Sequence, residues 1–142
     1  PVVLVLFGDH KPWMGNGGSV YEEMGIDFDT STLAGFRNYY ATPYLIWANR
    51  AAKEVLGADF TGEGGDFSPC FLMTRLFDAC GWAGPGYMQL SRAMRDISPL
   101  LHTNGLFLHD GVLTSVLSDT DRSFYRSWLA VQYYREHVAA YS

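Results

Sequence analysis

A mixed α/β layer protein is the fold class that this sequence predicts. Three patterns predict it: an unbroken apolar run at residues 2–7, wide apolar stripes at helical spacing later in the chain, and an Asp-Gly turn between two short β-prone segments. The 142 residues fit one domain or a large piece of one, and an apolar share of 48% against 18% charged excludes intrinsic disorder. Net charge is −5 with no basic run, which excludes unspecific binding to nucleic-acid phosphates.

The opening run, Val-Val-Leu-Val-Leu-Phe at 2–7, does not alternate, which is the pattern of a strand covered on both faces in a parallel sheet. It is far shorter than the ~18 residues of a membrane span, so this piece is expected to be soluble. A chain whose first residues already read as a buried strand is expected to be part of something longer. A second apolar run, Tyr44-Leu45-Ile46-Trp47-Ala48, follows Thr42-Pro43 and reads as the next strand of a parallel start.

Between the two runs, Ser19-Val20-Tyr21-Glu22 fits a capping box at the start of a short helix that Gly25 stops. Residues 26–40 lack a period and read as irregular with one short helix. Residues 49–57 form a short helix or turn, and 58–67 a surface loop rich in Gly and Asp. Ser68-Pro69 opens a helix through Cys80 with Phe71, Leu72, Leu76 and Phe77 on its buried stripe. A second helix covers about 87–96. Asp110-Gly111 closes a hairpin between 105–109 and 112–117. Asp119-Thr120-Asp121 caps a helix over about 122–141, apolar through Phe124, Trp128, Val131, Tyr134 and Val138. If Cys70 and Cys80 share one helix, about 1.5 Å of rise per residue sets them about 15 Å apart. That exceeds the ~7 Å reach of a disulfide, so two free, buried thiols are expected.

Asp9-His10 is the strongest candidate for chemistry. A carboxylate and an imidazole leaving the end of a buried strand can meet at one cation, and both suit Zn²⁺ or Mn²⁺. Gly8 is expected to let the backbone turn sharply enough for both to reach the same point. The plainer reading makes Asp9 a turn cap and His10 a surface residue. Two ligands do not close a site, so others must come from elsewhere. His102, His109 and Asp110 are the polar ends of the hairpin or, less simply, a second metal pair. His137 suits a helix carboxyl end. Lys11 reads as solvated. Gly15-Asn16-Gly17-Gly18 lacks the Lys and Ser/Thr of a phosphate loop, and no nucleophile elbow, Walker loop or His-Glu-x-x-His is present. Trp13, Tyr39, Tyr40 and Trp47 read as core before they read as a pocket lining.

Phe-Gly-Asp-His-Lys-Pro at 7–12, Ser19-Val20-Tyr21, the segment from Tyr40 through Thr42-Pro43 to Ala48-Asn49, and the Ser68-Pro69 helix closing with Ala79-Cys80-Gly81 together carry a resemblance. They resemble the carboxyl-terminal part of lipoteichoic-acid-synthase-like phosphoglycerol transferases, in the sulfatase and alkaline phosphatase superfamily. The resemblance is strongest from Pro1 to Gly81 and looser over the hairpin and last helix.

It implies that residues 1–142 are the carboxyl-terminal portion of a sulfatase-like α/β catalytic domain. Residues 1–57 would be the strand–metal-motif–strand part of the main sheet, and 58–142 the helices, hairpin and terminal helix. It implies Asp9 and His10 as ligands of one divalent cation, manganese first, with magnesium, zinc or calcium as alternatives. A Thr nucleophile and a Glu ligand would precede Pro1, so no catalytic residue lies in this stretch and the piece alone is inactive. The reaction would be metal-assisted phosphoryl transfer through a covalent Thr intermediate. Its substrate would be an anionic lipid or polyol phosphate, and the parent would sit at a bacterial cell membrane with its catalytic part outside. The implied partner is the amino-terminal part of the same domain. Without it, an uncovered front strand predicts self-association. A sulfatase, a phosphoethanolamine transferase or a non-catalytic binding module is the alternative.

Overall fold

The computed structural model describes residues 1–138. The chain forms two compact units, Pro1–Phe60 and Thr61–Ser142. The mixed α/β class is present, built around two small antiparallel sheets.

In the first unit the order is β1 (Val3–Phe7), α1 (Ser19–Glu23), α2 (Leu33–Tyr40), β2 (Tyr44–Ala48) and α3 (Arg50–Leu56). β1 and β2 pair antiparallel, with Val3 opposite Ala48 and Phe7 opposite Tyr44. This departs from the expected parallel start. An unbroken apolar run reports cover on both faces and says nothing of the neighbour's direction. Here only one face is covered. Ile46 is half-buried and Ala48 buried, as are their partners Val5 and Val3 in part, while Leu4, Leu6, Leu45 and Trp47 share the other face and stay 43–53% exposed.

Asn49 ties the ladder to the next helix. Its Oδ1 accepts from the Ala52 amide at 2.9 Å as an N-cap and from the Val2 amide at 3.0 Å. Gly57 ends α3 in the left-handed conformation (φ 64°). The short helix expected within 26–40 is α2, capped by Thr32, whose Oγ1 accepts from Gly35 N at 3.0 Å. A Cβ on Gly35 would run into the Asp29 backbone. The capping box expected at Ser19 does not form. Glycines at 15, 17 and 18, all at positive φ, swing the chain through a 3-10 turn, so Gly18 is the N-cap and Ser19 already lies inside α1.

The second unit contains a 3-10 turn (Pro69–Phe71), α4 (Leu72–Ala79), α5 (Gly86–Ile97), the hairpin β3 (Phe107–His109) and β4 (Val112–Thr114), and α6 (Asp119–His137). The helix expected over 68–80 therefore opens as a 3-10 turn and becomes α-helical only from Leu72, with Phe71 at φ −99° and ψ 0° where the two meet. Ser68 does not cap it. Its hydroxyl donates to the Leu101 carbonyl and accepts from the Leu101 amide, at 3.0 and 2.8 Å, fastening the turn to the chain after α5. Cys70 is exposed rather than buried, Cys80 is buried, and both are free.

Phe71, Met94 and Trp128 form the core, with Leu90, Ile97, Leu101 and Phe124 packed against them. Trp128 Nε1 donates to Ser91 Oγ at 3.0 Å, so the largest buried ring keeps its polar atom satisfied. Asp78 joins α4 to α5 by accepting from Arg92 and, at 2.7 Å, from Arg95. Burial pulls the Asp78 carboxyl up, and the two guanidinium groups together outweigh it and hold the carboxyl below its usual range. Ser118 caps α6 by accepting from Asp121 N at 3.1 Å, one residue before the expected cap. The apolar stripe of α6 is buried only as far as Trp128: Val131, Tyr134 and Val138 are 37–55% exposed. Residues 139–141 of the expected helix lie outside the described residues.

Asn49→Ala is expected to destabilise the first unit by about 1 kcal/mol, since a lost N-cap costs ~0.5–2 kcal/mol, while Asn49→Asp keeps both bonds. Urea unfolding followed at the β1 and β2 amides by NMR checks this; equal midpoints for all three proteins would remove the role assigned to Asn49.

Candidate metal site

Gly8 N donates to the Pro43 carbonyl at 3.0 Å and Thr42 Oγ1 to the Gly8 carbonyl at 2.6 Å, so β1 is held against the segment entering β2 up to its last residue. Gly8 is needed for that approach and not for a sharp turn. Its φ is not positive, and a Cβ there would meet Thr42 Cβ at 3.0 Å. Asp9 and His10 follow directly, with side chains 81% and 80% exposed.

The two sequence candidates do come together. Asp9 Oδ1 accepts from the His10 amide at 2.9 Å, which fixes the carboxylate and turns Oδ2 toward the ring. His10 Nε2 then lies 3.7 Å from Asp9 Oδ2. Two ligands about 2.1 Å from a tetrahedral ion stand ~3.4 Å apart, so a small shift brings both onto one cation. His10 Nδ1 is 3.2 Å from the Lys11 carbonyl, which can only accept. The Nδ1–H tautomer that satisfies it leaves the lone pair on Nε2, the form a metal needs. The donor set thus fits a divalent cation at two positions. Among the described residues no group of three or more His, Cys, Asp or Glu could hold a metal.

The surroundings differ from the sequence reading at Lys11 and at the aromatic residues. Lys11 is half-buried: its ammonium donates to the Asn38 carbonyl on α2 and lies 5.9 Å from the centre of the Phe28 ring. Asp9, His10 and Lys11 border a hollow of about 290 Å³ whose remaining walls are Trp13, Tyr21, Phe28, Tyr39 and Tyr40. Trp47, grouped with those rings from sequence, is not part of it and lies opposite Leu4 on the exposed face of the ladder. Tyr21, buried, donates from its hydroxyl to the Pro12 carbonyl at 2.6 Å and so anchors the chain just past the site. Phe28 carries a signal that was in the sequence. It sits between Asp27 and Asp29, whose carboxylates accept from the amides two residues on at 2.8 and 2.9 Å. Asp-x-Asp-x-Ser is the pattern of two successive Asx turns.

The other histidines are placed apart from Asp9 and His10 in sequence and in role. His137 Nδ1 lies 3.1 Å from the Tyr133 carbonyl in the last turn of α6 and its ring stacks on Tyr133. His102 sits where the chain turns before β3, its amide donating to the Leu106 carbonyl. His109 holds the end of β3: Nδ1 is 3.0 Å from the Ile97 carbonyl and Nε2 3.6 Å from Asp110 Oδ2. No family model, no curated protein and no solved structure matches this chain.

The bond to the Ile97 carbonyl raises the His109 imidazole above its ordinary 6.5; partial desolvation opposes it, and the charges of Asp110 and Asp121 add to it. A raised folded value means that the protonated ring steadies the hairpin below the ordinary value, and that this support fades as pH rises through the raised one. An NMR titration should therefore place the His109 midpoint above 6.5, with Asp110→Asn lowering it part of the way. A midpoint at or below 6.5 in the unchanged protein would remove the assigned hydrogen bond.

Proposed function

We propose that this chain is the part of a metal-dependent phosphoglycerol transferase, of the lipoteichoic-acid-synthase-like kind, that contributes Asp9 and His10 to a divalent cation. Manganese is the first choice, and an anionic lipid or polyol phosphate the substrate class. The observation that carries the reading is the convergence of Asp9 Oδ2 and His10 Nε2, 3.7 Å apart, where a strand ladder ends. When bound, such a cation would polarise a phosphoryl oxygen and lower the pKa of an attacking hydroxyl. Asp9 and His10 would hold it. The Gly8–Thr42 contact would fix their position at the end of the ladder.

The nucleophile and the remaining ligands would come from another polypeptide segment, outside this chain. A surface suited to receive it exists on β1 and β2, where Leu4, Leu6, Leu45 and Trp47 form an exposed apolar face. Among the described residues no helix is long and apolar enough to cross a membrane, so the membrane location proposed for the parent would depend on other segments.

Titration with Mn²⁺ alone, followed by paramagnetic broadening of the histidine signals, tests the metal reading. His10 should broaden at lower Mn²⁺ than His102, His109 or His137, and Asp9→Ala should weaken the effect by about tenfold, as loss of a group supporting a metal does. Equal broadening of all four histidines, or no change in Asp9→Ala, would return Asp9 to the role of a turn cap.

The apolar face also predicts that the isolated chain pairs with itself. Light scattering should show a mass above 15.9 kDa that falls toward the monomer in Leu6→Lys and Leu45→Lys variants. A monodisperse monomer for the unchanged chain would contradict it.

A further inference from the structure

Next to the hollow at Asp9 lies a second one of about 310 Å³, sharing Trp13, Phe28 and Tyr39 with it. It falls at the small end of the size range of ligand pockets. The three rings do not stack. Trp13 meets Tyr39 with centroids 5.9 Å apart at 68°, and Phe28 meets Tyr39 at 5.5 Å and 72°. They bound a corner, with ring planes crossing steeply. Gly18 adjoins the corner, where its φ of 82° calls for glycine even though a Cβ would only touch the Trp13 and Phe28 edges at ordinary contact distance.

The remaining wall is acidic. Glu22, Asp27 and Asp29 line it, and none of the lining residues is basic. Hydrogen bonds from Ser31 hold Asp29 below the usual carboxylate range, so it is charged at neutral pH. The Lys11 ammonium, 5.9 Å from the Phe28 ring centre, borders the neighbouring hollow and does not line this one.

We propose that this hollow binds an organic ammonium ion, an alkylated or methylated amine of about the size of choline. Aromatic faces carry negative potential and attract a cation of low hydration, and carboxylates at the rim add long-range attraction. Other ligand classes fit less well. A phosphate would meet three carboxylates without a compensating lysine or arginine in the lining. A sugar stacks on one broad flat ring, whereas these rings cross. A bare metal ion needs oxygen ligands that converge, and among the described residues no three His, Cys, Asp or Glu side chains could hold one. The inference does not rest on the metal reading, because neither Asp9 nor His10 lines this hollow.

The test uses the whole chain, choline chloride as probe, and 3,3-dimethylbutan-1-ol as the uncharged isostere of the same shape, with potassium chloride matching ionic strength. Choline should saturably shift the Trp13 indole and the Phe28 and Tyr39 ring signals, binding about tenfold more tightly than the alcohol. Trp13→Ala should abolish the shifts. Trp13 is 57% exposed, so the fold should survive, as unchanged β1 and β2 amides would verify. Glu22→Gln, on an exposed side chain, should weaken binding about threefold and flatten its dependence on salt. Equal binding of the alcohol would make this a plain apolar hollow. Tighter binding of methyl glucoside would make it a sugar site, and absence of a saturable shift would leave no site. Each of those three results overturns the proposal.

Discussion

The end of β1 is set by one polar clamp. Thr42 donates its hydroxyl to the Gly8 carbonyl and Pro43 offers its carbonyl to the Gly8 amide, at 2.6 and 3.0 Å. Proline has no amide to give back, so the ladder cannot continue in the same pattern beyond this point. The next two residues leave it with their side chains exposed. Asp9 and His10 are exposed because the clamp stops pairing there, and they meet because the Asp9 carboxylate then turns to its neighbour's amide. Lys11 closes the same stretch from the other side by its bond to Asn38. Residues 8–11 are thus hemmed by 38–43, which gives an exposed pair a defined place without burying it.

What the sequence disclosed tracks how local the cause was. The Asp110-Gly111 hairpin is present with φ 49° and 77° at the two turn residues, the geometry that pair of residues favours. The helix at 86–97 matches the one expected over about 87–96 because its apolar stripe is written within a few turns, whereas α6 begins at Asp119 on a Ser118 cap, ahead of the start expected near 122. The parallel start was not legible. Direction of pairing depends on how residues 8–43 return, and that path is set by glycines at 15, 17 and 18 and by two short helices with weak periods. The single helix through Cys80 failed for a similar reason. Ser68 reads as a cap, yet its hydroxyl is used by Leu101, 33 residues away, and the first turn tightens to 3-10 around it.

Within the candidate site, adjacency made the Asp9–His10 pair readable, since neighbours at a strand end are close whatever the rest of the chain does. Lys11 was misplaced because a lone lysine beside Pro12 carries no sign of a carbonyl 27 positions later. Gly8 was assigned to a turn when its small size serves a neighbouring strand instead, and nothing in Phe-Gly-Asp-His distinguishes the two uses. The aromatic rings needed Phe28, which two consecutive Asx turns present to Tyr21 and Tyr39 at 5.0 and 5.5 Å. That pattern was visible as Asp-Phe-Asp-Thr-Ser, but its meaning depends on the rings it meets.

The two units differ in how their stability is obtained, and the difference bears on where function lies. In the second, Phe71 and Met94 are fully buried, Trp128 almost so, and their polar neighbours Thr74, Ser91 and Ser98 each have partners. That core is closed on itself, and the apolar surface the unit leaves open lies outside it, as on α6 beyond Trp128. In the first, the ladder keeps one apolar face open while its end carries the paired carboxylate and imidazole. Cover on Leu4, Leu6, Leu45 and Trp47 would stabilise the folded ladder, and the folded ladder with its Gly8 clamp is what fixes where the Asp9–His10 pair stands. A cation that binds only that arrangement favours the same state. Under the proposed function, docking on the apolar face and metal binding at the strand end would therefore be linked through one element, each raising the other's affinity by an equal factor.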